Sequence, residues 1–222
     1  MRYPHEALAV VFQVRDEHLD VLLWRRAEAP AAGRWALPGG LLGADERLGT
    51  SVARSLAANV DVAELAHLEQ LETRSDPLRD PRGRRLATAY LGLIPVDQRP
   101  SLPRDTGWHR VEALPLMAFD HGSIVASGRN RLRAKLSYTT IALALAPTQF
   151  TISTLRAIYA AALGYDVSAT NLQRVLLRRK ALVPTDGLAE PGAGGGRPAR
   201  LYHFAAPTVQ VTDPFATLRP PP

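Results

Sequence analysis

Apolar positions in the first 120 residues come in short dense runs. "ALAVVFQVR" (7–15), "LDVLLWRRA" (19–27) and "LATAYLGLIPV" (86–96) have the length and the branched aliphatic content of buried strands. "RLGTSVARSLAANV" (47–60) instead spaces its apolar residues as a helix does. "RSDPLRDPRGRR" (74–85) and "DQRPSLPRDTG" (97–107) are rich in turn formers and connect these elements. From His121 to Leu136 the pattern becomes helical, with Ile124, Leu132 and Leu136 at spacings that share a face, and Pro147 breaks it.

The C-terminal part has a different rhythm. In "PTQFTISTLRAIYAAALGYD", Thr151 or Ser153 can cap a helix carrying Ile152, Leu155, Ile158, Tyr159, Ala162 and Leu163, and Gly164 ends it. A few residues later Ser168 can cap "ATNLQRVLLRRK", in which Leu172, Val175 and Leu176 form the apolar stripe. Two short helices joined by a tight glycine-containing turn have helix-turn-helix spacing. "ALVP", a glycine-rich loop and the alternating "RPARLYHF" then predict a β-hairpin wing.

Away from its apolar stripe, the second helix carries Asn171, Arg174 and Arg178 at i, i+3 and i+7. Arginine and asparagine make bidentate contacts to guanine and adenine edges in the major groove. Thr170 at the helix start joins this set. Arg179 and Lys180 suit phosphates, which position without specifying, and Arg197 and Arg200 lie on the wing. A solvated basic helix would carry the same residues.

Charge sharpens the division. The chain has a net charge of +6, made of −2 over residues 1–120, +4 over 121–137 and +4 over 138–222. Only the back half is placed to meet a polyanion. At 222 residues there is room for one large domain or for a second, smaller one. The absence of cysteine excludes a disulfide framework and cysteine-ligated zinc. The chain opens with no basic-then-apolar leader, and its longest apolar run is far short of the ~18 residues of a membrane span. The expectation is a soluble cytoplasmic protein without a membrane partner.

"GGLLGADERLGTSVARSLAANVDV" (39–62) resembles the Nudix box, G-x5-E-x7-R-E-U-x-E-E-x-G-U with U aliphatic. Gly40, Glu46, Arg54, Leu56 and Val62 fall on its register, after the lead-in "RWALPGG" and before the late tryptophan segment "GWHRVEALP". The resemblance implies an α/β/α sandwich on a mixed sheet, with a cleft for a nucleoside diphosphate linked to another group. Three glutamates of the pattern are replaced by Ser55, Ala58 and Asn59, and its glycine by Asp61. In active members those glutamates hold the metal that polarises the pyrophosphate and activates water. Asp61 and Glu64 would have to supply any replacement site from a different geometry. The candidate ligand residues are Arg25, Arg34, Trp35, Glu46 and Arg54, with Arg26 a further phosphate partner. Arg54 suits either an ion pair with Glu46 or a diphosphate. Trp35 suits either a base or the core.

With the junction "FDHGSIVASGRNRLRAKLSYTTIA" (119–142) and the winged segment, the chain resembles the NrtR group of Nudix-related transcriptional regulators of bacterial NAD metabolism. That resemblance implies a Nudix-like domain over residues 1–146, with 121–137 as a basic junction helix, and a winged helix-turn-helix domain over 147–222. It further implies a homodimeric repressor on a palindromic operator in double-stranded DNA. ADP-ribose or a related nucleotide is its effector, and no cofactor is required. The junction helix, with Arg129, Arg131, Arg133 and Lys135, is the expected coupling element. Two alternatives stay open: a magnesium-dependent ADP-ribose pyrophosphatase with an appended domain, and a nucleotide-binding adaptor whose basic domain binds protein.

Overall fold

The computed structural model describes residues 3–62, 64–190 and 198–213. These form two compact units. The first comprises the described residues up to Gln13 with Leu19–Ile94 and Gln98–Arg131; the second comprises Val14–His18, Pro95–Asp97 and the described residues from Leu132 on.

The first unit is built on β1 (His5–Arg15), β2 (His18–Arg25), β3 (Trp35–Ala36), β4 (Gly39–Leu41), α1 (Leu48–Val60), β5 (His67–Arg74), β6 (Leu86–Leu93), β7 (Thr106–Arg110) and the start of α2 (His121–Tyr138). The sheet runs β3-β2-β1-β6-β5, with β4 added to β1 and β7 to β2. β1 and β6 are parallel from His5↔Leu86 to Phe12↔Leu93, and β4, β5 and β7 pair antiparallel, so the sheet is mixed as expected.

Alternation along β1 explains why its centre, Ala7 to Phe12, is wholly apolar. Ala7, Ala9 and Val11 pack with Val52, Leu56 and Val60 of α1. Val10 and Phe12 face the other way, where a Cβ on Gly128 of α2 would lie 2.9 Å from Val10 Cγ1 and 3.3 Å from Phe12 Cε2. A strand covered on both faces has no polar side to show. α1 ends at Asp61, whose φ of 55° is left-handed, so aspartate takes the conformation for which the Nudix pattern places glycine.

In the second unit, α3 (Ile152–Leu163) and α4 (Ala169–Arg178) are followed by β8 (Leu182–Leu188) and β9 (Arg200–Phe204). Thr151 Oγ1 caps α3 by accepting the Thr154 N–H at 3.1 Å, Gly164 ends it at φ 76°, and Ser168 Oγ caps α4 by accepting the Asn171 N–H at 3.3 Å. β8 and β9 pair antiparallel, and Phe150 exchanges backbone hydrogen bonds with Tyr202 on the outer side of β9. Leu155, Ile158, Ala162, Leu176 and Tyr202 are buried, as are Ile141 and Leu145 before them. Leu172 and Val175 are half-buried. No helix among the described residues is long and apolar enough to cross a membrane.

Two glycines give opposite expectations. A Cβ on Gly39 would clash with the Ala7 carbonyl oxygen, whereas one on Gly49, in α1, meets nothing within 4 Å. Gly39→Ala should therefore destabilise the first unit by about 1–3 kcal/mol, and Gly49→Ala should stabilise it by about 0.5–1 kcal/mol. All three tryptophans, Trp24, Trp35 and Trp108, lie in that unit, so urea unfolding followed by tryptophan fluorescence reads it selectively. Coincident midpoints for wild type and both variants would contradict this packing.

Candidate functional site

A cavity of about 230 Å³ opens in the first unit beside Gly39 and Gly40, where the Nudix-like stretch begins. Arg26, Arg82 and Arg85 line it together with Phe119 and His121. The arginines are held by a charge network. Glu6 lies 3.4 Å from Arg79, 3.4 Å from Arg82 and 3.6 Å from Arg85, and Asp80 accepts from Arg82 at 2.6 Å. Burial works to raise the Asp80 carboxyl, but its bonds from Arg82 outweigh that, and it sits below the ordinary carboxylate range. Arg79, whose side chain is 2% exposed, makes a two-pronged pair with Asp120 at 2.8 and 3.1 Å.

The two aromatic groups have distinct surroundings. The guanidinium carbons of Arg26 and Arg82 lie 5.0 and 5.5 Å from the centre of the Phe119 ring, at cation–π range. Phe119 itself has a left-handed φ of 51°. The Leu37 N–H donates to His121 Nδ1 at 3.0 Å, and burial pushes the imidazole down to about 4, so the ring is neutral at physiological pH. His121 Nε2 is buried without a hydrogen-bond partner among the described residues.

The Nudix-like stretch does not form a cation cage. Ser55 is buried against Gly40, Ala58 is exposed, and Asn59 donates to the Gly39 carbonyl at 3.1 Å. None of the three brings negative charge, and magnesium is seldom held without carboxylates. Among the described residues no group of three or more His, Asp or Glu side chains is arranged to hold a metal. The residues present therefore do not fit the metal of an active Nudix site.

Glu46 and Arg54 instead bind each other. Arg54 Nε donates to Glu46 Oε1 at 2.6 Å and its Nη2 to Oε2 at 3.0 Å and to the Leu41 carbonyl at 3.1 Å. The Gly43 N–H completes the clamp at 2.8 Å. Together these bonds, led by that from Arg54, hold the Glu46 carboxyl down to about 2. Arg25 donates to the Gly33 carbonyl at 3.1 Å, Arg34 is exposed, and Trp35 meets the His109 ring edge-on at 4.2 Å. None of these five lines the cavity. Of the ligand candidates proposed from sequence only Arg26 does, and Arg82, Arg85, Phe119 and His121 are not among those candidates. The signals available were five arginines inside the turn segment 74–85 and a Phe-Asp-His triplet at a helix start.

In the second unit, Thr170, Asn171, Arg174 and Arg178 are exposed on α4, and Arg174 Nη2 donates to Asn171 Oδ1 at 2.7 Å. Lys180 is exposed just beyond, at a left-handed φ of 55°, and Arg200 is exposed at the start of β9. Arg179 is engaged internally, donating to the Ser137 carbonyl at 2.8 Å and to Asp213 at 2.9 Å. Arg197 lies outside the described residues. In α2, Arg129 pairs with Glu112, and Arg131 lies 3.4 Å from Glu69.

Residues 4–127 match the NUDIX domain family, and residues 142–204 match the NrtR DNA-binding winged helix domain. The ADPR responsive transcriptional repressor NtrR of Acinetobacter baylyi is 32% identical over 213 residues, spanning 91% of this chain and 84% of its relative. Shewanella oneidensis NrtR complexed with a 27mer DNA matches with a TM-score of 0.78 at 28% identity, over 91% of this chain and 93% of the other. The NUDIX domain of the same Shewanella protein, complexed with ADP ribose, matches with a TM-score of 0.52 at 33% identity, over 60% of this chain and 90% of the other. This chain belongs to the NrtR family, in which a NUDIX domain is followed by an NrtR winged helix domain.

Proposed function

We propose that this chain is a cytoplasmic transcriptional repressor of bacterial NAD biosynthesis or salvage genes. It binds double-stranded DNA through its second unit and ADP-ribose through the cleft of its first. The observation that carries this reading is the exposed face of α4, where Asn171, Arg174 and Arg178 project beside a two-stranded wing. Arg174 held by Asn171 is a guanidinium ordered before it meets a base, with donors to spare for a guanine edge. Thr170, Lys180 and the wing residue Arg200 supply phosphate contacts, and Arg179 braces α4 from within. A two-fold homodimer places two such helices in successive major grooves of a palindromic operator.

The cleft supports the effector. Arg26, Arg82 and Arg85 bring cationic donors to a cavity with an aromatic wall, chemistry that suits the diphosphate and rings of ADP-ribose. Ser55, Ala58 and Asn59 leave the unit to bind without hydrolysing, so this domain is a sensor and not an enzyme. To regulate, ADP-ribose must bind the free and DNA-bound arrangements unequally.

Arg174→Ala should weaken specific operator binding by about 1–3 kcal/mol and relax preference at one base position, whereas Lys180→Ala should weaken all duplexes alike and reduce the salt slope by about one. Fluorescence anisotropy with operator and scrambled duplexes separates these outcomes. Uniform loss for both variants would remove base readout, and no preference among duplexes for the wild type would favour a protein-binding adaptor. In a second test, ADP-ribose incubated with the protein and Mg²⁺ should release AMP only at background. Turnover on the order of 1 per second or faster that falls in Glu46→Gln would replace the sensor with a pyrophosphatase.

A further inference from the structure

Three consecutive residues at the head of α2 each hold a different part of the cleft. Phe119 meets the guanidiniums of Arg26 and Arg82, Asp120 accepts two hydrogen bonds from Arg79, and His121 accepts one from the Leu37 backbone. The last contact settles a tautomer. A backbone N–H opposite Nδ1 requires a lone pair there, so in the neutral ring the proton is on Nε2. That Nε2–H is a buried donor with no acceptor among the described residues, on a ring that lines the cavity. Buried donors are normally satisfied, and an orphan at a cavity wall marks a place for an acceptor from outside the chain.

We infer that His121 reads the ligand for α2: its Nε2–H donates to an oxygen of the bound nucleoside diphosphate sugar, while Arg26 and Arg82 meet the diphosphate charge. The inference rests on the reading of the cleft as the ADP-ribose site. It adds the point at which occupancy reaches the helix. His121 is the first residue of α2, which begins in the first unit and ends in the second. A ligand that satisfies this donor stabilises one placement of the helix head over others, which is the unequal affinity that regulation requires.

Two substitutions separate the functions of the ring. His121→Asn keeps an acceptor near Nδ1 for the Leu37 N–H and removes the donor at Nε2; His121→Gln keeps a donor near Nε2 and removes the acceptor. Calorimetric titration of the full chain with ADP-ribose should show binding at least tenfold weaker for His121→Asn, and within about threefold of wild type for His121→Gln, the loss expected for one hydrogen bond to a buried donor. The ADP-ribose concentration that half-maximally alters operator binding should rise by the same factor in His121→Asn. Wild-type protein with ¹⁵N-labelled histidine needs no substitution: its Nε2–H signal should shift downfield and exchange more slowly when ADP-ribose is added. Equal affinity of His121→Asn and wild type, or an unmoved Nε2–H signal in ligand-saturated wild type, overturns the assignment and leaves the effector reading standing. Wild-type protein that does not bind ADP-ribose overturns the effector reading, and this inference falls with it.

Discussion

Burial of β1 on both faces is the constraint from which the rest of the first unit follows. Its alternate residues are claimed by α1 on one side and by α2 on the other, so neither helix can shift without opening the core. The same strand contributes Glu6 and Leu8 to the cleft, which ties the position of the charged wall to the register of the sheet. The close approach of Gly128 to Val10 and Phe12 fixes how near α2 lies, and with it where Phe119, Asp120 and His121 stand.

The charge network around Glu6, Arg79, Asp80 and Asp120 serves position more than stability. Withdrawing an arginine as buried as Arg79 from water costs several kcal/mol, and its partners return that cost only with good geometry. What the network achieves is to anchor the segment carrying Arg82 and Arg85 to the residue immediately before α2. The contrast with Glu46 and Arg54 is instructive. That pair has strong geometry but clamps one exposed turn, and it reaches the cavity wall only through the Leu41 carbonyl.

Much of the fold was legible in the sequence, for reasons that differ between elements. β1, β2 and β6 announce themselves because their largely buried centres are dense runs of apolar residues. α3 and α4 were legible through Thr151, Gly164 and Ser168, whose capping chemistry is local. β5 was not: its pairing with β6 is interrupted between Gln70 and Glu72, and most of its side chains are only half-buried. The cleft was least legible. Arg82 and Arg85 look like turn residues until the contacts of Glu6 and Asp120, distant in sequence, gather that turn around the cavity, and local periodicity carries no trace of such pairings. Gly40, on the Nudix register, lies at the cavity beside Gly39, whereas Glu46 and Arg54, on the same register, bind each other across a turn.

Pairing also decides which charges a duplex meets from afar. In the first unit several arginines are matched by carboxylates, Arg129 with Glu112 and Arg131 with Glu69 among them, and the −2 of residues 1–120 becomes +2 with residues 121–137, against +4 for residues 138–222. Residues 138–222 therefore carry the larger share of the attraction to a polyanion. Such a field accelerates encounter and selects among orientations while the partners are still about a Debye length, ~8 Å, apart. Part of the search for the operator is thus settled in diffusion, before any side chain reaches a base.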